Sequence, residues 1–394
     1  MKNILFVIDN LDIGGVEKSL ITLLNEINKS KYNIDVLPLY AYGEYKEKLD
    51  KNRINVLKIP NTKYDSNLIS RSFKSTVVEY LKKIKIKKII QFIELYIRGM
   101  FSKNNRKLPL AELIRCSIID SYAIIDKKYD IAIAYIDRQY SYYVTEKVKA
   151  DKKIMWIHSD YDALKINPEG YSKTYSKFDN IICVSRQAEK SFIKKFPDLS
   201  KKIIKINNIL DMHGMDVAEK VRFNNDSIKL ITVGRLSSEK GILNLIEMFY
   251  KLKQEINKKT VLYIIGDGPE KNTILEKIKK YKIEDDVILL GKQRNPYKYI
   301  KGADLYVQPS MKEGYCLTVY EALYLKKYVI SYNVADISEV VENSLNGYLC
   351  NTEEDFLNNL VQAINLKKYK EERITITKKY NDCIINQVET ILDK

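Results

Sequence analysis

Short apolar runs alternate with stretches of helical periodicity along almost the whole chain. Ile4–Ile8, Ile34–Leu37, Ile131–Tyr135, Ile154–Ile157 and Ile181–Val184 form one set of runs, and Lys229–Val233, Val261–Ile265, Val287–Leu290, Leu305–Val307 and Tyr328–Ser331 form a second. A continuous apolar run of this length suits a strand buried on both faces, as in a parallel sheet covered by helices. Between the runs, Val16–Asn28, Arg186–Lys195, Ile242–Ile256 and Glu270–Tyr281 carry apolar residues at helical spacing. Strand–helix repetition predicts an α/β, doubly wound architecture. The rhythm breaks at Asn207–Asp211, passes through polar Met212–Asp226 and restarts at Ile228. We therefore expect one domain over 1–210 and a second over 216–375. The last helical stretch, within 376–394, is expected to pack back on the first domain. A chain of 394 residues is the right length for two domains of roughly 200 residues each.

Charge and cysteine content narrow the setting. The formal net charge is +16, which points to an anionic partner. Nine of the cations fall within 82–107, against the single acid Glu94, and isoleucines, Phe92 and Tyr96 interleave with them. A basic amphipathic segment of this kind, at about 71–107, is expected to lie on an anionic membrane surface. No nucleic-acid-binding module is recognisable, and the cations cluster with aliphatic side chains rather than with stacking aromatics, so nucleic acid is not the expected partner. The five cysteines are odd in number and include no C-x-x-C pair, which fits a reducing compartment. The first apolar run is five residues long and meets Asp9 at once, which reads as a buried first strand rather than a leader. No stretch approaches the ~20 apolar residues of a membrane span. The expected location is cytoplasmic, peripheral at the inner face of the cell membrane.

Candidate chemistry lies in the loops that follow predicted strands. Gly14-Gly15 stand after the first strand and open a helix, so a phosphate could approach the helix amides closely. Val233-Gly234-Arg235 and Lys240-Gly241 put two cations at the carboxyl edge of the second sheet, where open α/β sheets bind ligands. Two cations there suit a diphosphate leaving group. Gly266-Asp267-Gly268 resembles a short phosphate loop. The stretch Glu313–Leu323 predicts a helix opening near Leu317, with the amides of Leu317 and Thr318 facing any bound anion. Glu321 lies one turn on and could accept both hydroxyls of a ribose. Glu313 precedes the helix, on the sugar side of the phosphates. His158, one of two histidines, ends a predicted strand, with Asp160 two residues on.

Glu313-Gly-Tyr-Cys-Leu-Thr-Val-Tyr-Glu321-Ala-Leu, a Glu-x7-Glu pattern, resembles the signature of glycosyltransferase family 4. Val-Gly-Arg-Leu-x4-Lys-Gly from Val233 to Gly241, Gly14-Gly15-Val16-Glu17 and Asn208-Ile209-Leu210-Asp211 are similar to further motifs of that family, in the family's order. The resemblance implies a GT-B fold of two Rossmann-like domains, retention of anomeric configuration and no required metal or other cofactor. It implies a nucleoside diphosphate sugar, UDP-linked, as donor and a glycan or lipid-linked hydroxyl as acceptor. Arg235 and Lys240 would hold the diphosphate, Glu321 the ribose and Glu313 the transferred sugar. Gly15 would line the phosphates, Lys292 would fall in the base-contacting loop, and His158 would contact the donor sugar. Gly234, Gly266, Gly314, Tyr315, Cys316, Leu317 and Thr318 would complete the donor-binding set. Cys316 departs from the small residue more usual there and reads as packing. A nucleotide-sugar epimerase on the same fold and a basic nucleic-acid-binding protein are the alternatives.

Overall fold

The computed structural model describes residues 1–51, 54–60, 90, 93, 94, 97, 116–164, 166–223, 226–367 and 376–394. It divides into two compact units. One comprises 1–207 with 385–394, and the other 208–384.

The first unit is built on a seven-stranded sheet. Its elements are β1 (Lys2–Asn10), α1 (Gly15–Glu26), β2 (Tyr32–Ala41), β3 (Asn55–Val56), β4 (Ile125–Ala134), α2 (Gln139–Lys147), β5 (Val148–Ile157), β6 (Asn180–Cys183), α3 (Arg186–Lys195) and β7 (Ile203–Lys205). The strand order is β3-β2-β1-β4-β5-β6-β7, and the pairings are parallel. Ile4 to Ile8 of β1 are all fully buried, as a central strand covered on both faces requires. Each such aliphatic or aromatic side chain contributes roughly 1.5–3 kcal/mol on leaving water. Helix α3 starts where Ser185 accepts a hydrogen bond from the Ala188 amide at 2.9 Å, which satisfies one of the free amides of its first turn.

The second unit repeats the scheme. It holds β8 (Ile228–Val233), α4 (Ile242–Glu255), β9 (Thr260–Ile265), α5 (Lys271–Tyr281), β10 (Val287–Gly291), α6 (Tyr297–Gly302), β11 (Leu305–Gln308), α7 (Leu317–Tyr324), β12 (Tyr328–Tyr332), β13 (Gly347–Cys350) and α8 (Glu353–Asn365). The six strands run β10-β9-β8-β11-β12-β13. In both sheets the chain builds outward in one direction and then returns to the centre to build in the other. This is the doubly wound Rossmann order, and it leaves a topological switch point at the carboxyl ends of β8 and β11. Every apolar run set out above falls on a strand of these sheets, with Tyr135 and Val184 one residue past the ends of theirs. The expected doubly wound α/β class is therefore the observed one.

The last helix, α9 (Lys379–Asp393), begins in the second unit and contributes its residues from Ile385 onward to the first. At its start, Asn381 brackets Leu210. The Leu210 amide donates to Asn381 Oδ1 at 3.1 Å, and Asn381 Nδ2 donates to the Leu210 carbonyl at 2.8 Å. At its end, Lys2 and Lys152 donate to the carbonyls of Leu392 and Ile391, both at 2.8 Å. Cations on exposed helix-terminal carbonyls are favoured by the helix dipole. The second unit thus runs wider than 216–375 on both sides.

Most of the basic segment at about 71–107 lies outside the described residues. Of its members, Ile90, Ile93 and Ile97 are exposed. Among the described residues, no helix is long and apolar enough to cross a membrane.

Candidate donor site

The strands of the second unit deliver two loops to its switch point. After β8 the chain passes Gly234 and Arg235, makes a short 3-10 turn over Ser238–Lys240 and reaches Gly241 in a left-handed conformation with φ 66°. A Cβ at Gly241 would stand 2.2 Å from the Pro309 carbonyl oxygen. Glycine here therefore lets the two loops touch. After β11 the chain runs through Pro309 and Ser310 to Glu313. The side chains meet there. Lys240 Nζ donates to Glu313 Oε1 at 2.6 Å and to Oε2 at 2.7 Å. The lysine side chain is 25% exposed and the glutamate 10%. Burial works against the Lys240 ammonium, but the Glu313 charge and hydrogen bonds hold its pKa above the ordinary lysine value.

Beneath this pair lies a polar network. Gln308, 2% exposed at the end of β11, donates through Nε2 to Ser310 Oγ at 2.7 Å and to Glu313 Oε1 at 3.4 Å. Its Oε1 accepts from the Tyr306 hydroxyl at 2.8 Å and from Thr318 Oγ1 at 3.2 Å. Helix α7 opens at Leu317 behind Cys316, which has φ 65°. Burial pushes the Cys316 thiol well above its usual range, so it is a packed thiol rather than a nucleophile. Thr318 is on the first turn of α7, and Gly314 borders Glu313.

Glu321 and Tyr315 are both buried, and Gly266, Arg235 and Lys292 lie at or past strand ends. Glu321 is fully buried on α7 and accepts from the Tyr297 hydroxyl at 3.3 Å, so its carboxylate does not stand open to a ribose in this structure. The Tyr315 ring is buried rather than turned toward a ligand. It stacks on Tyr320 at 4.5 Å between centroids, and its hydroxyl bonds that of Tyr380. Gly266 has φ 148°, and a Cβ there would stand 1.8 Å from the Gly234 carbonyl oxygen. Its glycine is demanded by the contact of two strand ends. Arg235 is exposed beside β8, and its charge acts on Glu239. Lys292 is exposed past β10, two strands from β8.

In the first unit, α1 begins at Gly15, with Gly14 extended before it. A Cβ on Gly15 would meet nothing within 4 Å. His158 follows β5 and packs on Tyr135, with ring centroids 4.8 Å apart. Desolvation pushes its pKa down to about 3, so the imidazole is neutral near pH 7. Asp9, at the end of β1, also has its pKa raised by burial. The sequence reading gave no site role to Asp9, Gln308, Ser310, Tyr306 or Tyr297. Gln308 left one trace: a polar residue directly before Pro309, closing an otherwise apolar strand.

The residues around this site have known counterparts. Residues 216–380 match the family of glycosyl transferases group 1. The chain is 31% identical over 188 residues to N-acetyl-alpha-D-glucosaminyl L-malate synthase of Bacillus anthracis, covering 45% of this chain and 46% of that protein. It is 28% identical over 176 residues to N-acetylgalactosamine-N,N'-diacetylbacillosaminyl-diphospho-undecaprenol 4-alpha-N-acetylgalactosaminyltransferase of Campylobacter jejuni, covering 43% of this chain and 45% of that protein. The chain thus spans about half the length of these curated relatives. Among solved structures, Anabaena HepE in complex with UDP and glucose superposes with a TM-score of 0.70 at 16% identity, over 100% of both chains. That likeness fixes the fold as GT-B. The Lys240–Glu313 pair and the Gln308 network fall inside the group 1 match.

Proposed function

We propose that this chain is a retaining glycosyltransferase. It moves a hexosyl unit from a UDP-linked sugar to a hydroxyl of a glycan or lipid-linked acceptor, in cell-surface polysaccharide synthesis at the cytoplasmic face of the membrane. The observation that carries the reading is the Lys240–Glu313 pair, drawn together across the switch point of the second sheet. Ligands of open α/β sheets bind at that crevice. A cation and a carboxylate brought together there match the two ends of a sugar diphosphate.

In this reading Lys240 and Arg235 neutralise the departing diphosphate, assisted by the first amides of α7. Charge stabilisation of this kind is worth several kcal/mol in a water-poor site. Glu313 orients the sugar hydroxyls. The acceptor attacks from the leaving-group face, and a donor phosphate oxygen takes its proton. The bond from the anomeric carbon to the diphosphate breaks as the new glycosidic bond forms, with configuration kept. Neutral His158 acts as a hydrogen-bonding group toward the sugar rather than as an acid. Gly15 leaves room for a phosphate, Gly234 borders Lys240, and Lys292 reaches the base. Buried Glu321 becomes available to the ribose when Tyr297 yields its hydrogen bond.

The relatives support the substrate classes. One solved neighbour holds UDP and glucose, and one relative's name carries a diphospho-undecaprenol acceptor. The basic segment supports the membrane setting.

The test is UDP release from a panel of UDP-sugars, with and without lipid-linked acceptors. The wild-type chain should release UDP from at least one donor. A Lys240→Ala variant that keeps its circular dichroism should be slower by about 10²-fold or more, the usual scale for losing one electrostatic stabiliser. Wild-type turnover in a folded Lys240→Ala chain would defeat the proposal.

A further inference from the structure

Gln308 lies on β11, a strand flanked by β8 and β12, beside buried Ser331 on β12, and is itself only 2% exposed. A buried amide there is costly unless each of its polar atoms is paired. All of them are paired, and in one sense only. Two hydroxyls, from Tyr306 and Thr318, donate to Oε1. The Glu313 carboxylate only accepts, so it fixes the orientation of the amide: Nε2, a pure donor, is the end turned toward Ser310 and Glu313. Tyr306 and Gln308 stand two residues apart and so share one face of the strand. Thr318 comes from α7, the helix that also carries Glu321. The amide therefore ties strand, helix and Glu313 together.

Glu313 has two donors in this structure, the Lys240 ammonium and the Gln308 amide. The donor-site reading, on which this inference rests, gives Lys240 a second task at the diphosphate. When the ammonium turns to the phosphates, a carboxylate that is only 10% exposed keeps one donor from the protein. We propose that Gln308 is a positioning residue of the donor site, whose amide holds the Glu313 carboxylate in register with the transferred sugar while Lys240 grips the diphosphate.

Two variants test this together. Gln308→Glu keeps the length of the side chain and still accepts from Tyr306 and Thr318, but it no longer presents a donor to Glu313. Gln308→Met fills the volume with no polar atoms. Calorimetry with UDP, GDP and ADP, and then with the matching nucleotide sugars, separates nucleotide affinity from the sugar increment. For both variants we expect nucleoside diphosphate affinity within twofold of wild type. The ratio of sugar-nucleotide to nucleotide affinity should fall to that of Glu313→Gln, and kcat should drop about tenfold. The double variant Gln308→Glu with Glu313→Gln should be no slower than Glu313→Gln alone, as for residues acting as one unit.

Unchanged kcat and sugar increment in folded variants would overturn the inference. So would an equal loss of nucleotide and sugar-nucleotide binding, which marks a role in folding the loop. If the wild-type chain binds none of the nucleotides, the donor-site reading fails first, and the role of Gln308 falls with it.

Discussion

Removing Lys240 should destabilise the second unit, and removing Glu313 along with it should restore much of the loss. Two unit charges about 3 Å apart attract by roughly 5 kcal/mol at an effective dielectric constant of about 20. Desolvation of both groups takes back part of that. The carboxylate is the more buried partner, at 10% exposure against 25% for the lysine side chain. Lys240→Ala strands it beside one amide, and breaking a buried pair in this way costs about 3 kcal/mol. Glu313→Gln leaves the ammonium on a long stem that can turn toward water, for a cost of about 1 kcal/mol. The double variant strands neither charge, so it should be more stable than Lys240→Ala alone.

For a unit spanning 208–384, each kcal/mol moves Tm by about 2–4 °C. Lys240→Ala should therefore lower the transition of that unit by about 6–12 °C, and the double variant by about half as much. The pH dependence has a definite sign. The pKa of Lys240 is raised in the folded chain. Its contribution is therefore complete below the unfolded lysine pKa of about 10.4 and is lost as pH rises through the higher folded value. The gap between wild type and Lys240→Ala should stay constant from neutral pH to about pH 9 and shrink only in stronger alkali. Differential scanning calorimetry across that range is the assay. A double variant as unstable as Lys240→Ala would refute the reasoning, since the cost would then come from packing of the lysine stem.

The fold was legible because its central strands are buried on both faces, so each left an unbroken apolar run. The strands that escaped notice are marginal by the same criterion. Asn55–Val56 is a two-residue edge strand, and Ile203–Lys205 and Gly347–Cys350 close the far edges of their sheets. Helices α2 and α8 were also missed. The α2 sequence Gln139–Lys147 is rich in tyrosine and carries no clear polar face. At the site, the two loops could be read because Gly, Lys and Glu beside strand ends carry their own chemistry. The network beneath them could not be read. Pairing of Gln308 with Tyr306, Thr318 and Glu313 depends on strand register and on where α7 docks, which no local pattern records. Tyr315 shows a second limit of local pattern. An aromatic inside a binding motif reads as a ligand contact, but Tyr320 and Tyr380 claim it for the interior.

Two further outcomes follow from the same physics. Replacing Lys82, Lys83, Lys87 and Lys88 by glutamine should weaken binding to phosphatidylglycerol-containing vesicles by about 10²–10³-fold, at about 1 kcal/mol for each cation near an anionic surface. Sedimentation against phosphatidylcholine vesicles measures it, and no vesicle binding by the intact chain would remove the membrane setting. The glycines offer a sharper contrast, because Gly266 is crowded and Gly15 is open. At Gly266 an alanine Cβ would sit 1.8 Å from a backbone oxygen, at φ 148°. Neither a rotamer change nor a water can relieve that contact, so Gly266→Ala should cost at least the ~1–3 kcal/mol of a strained backbone residue. At Gly15 the same methyl meets nothing within 4 Å, and alanine favours the helix by up to about 1 kcal/mol over glycine. Gly15→Ala should therefore match or exceed wild-type Tm. Among the described residues nothing lies within 4 Å of that methyl, so the variant tests whether a bound ligand occupies the space. Weakened binding of a nucleotide sugar by this more stable variant would identify the space at Gly15 as part of the site, and unaltered binding would exclude it.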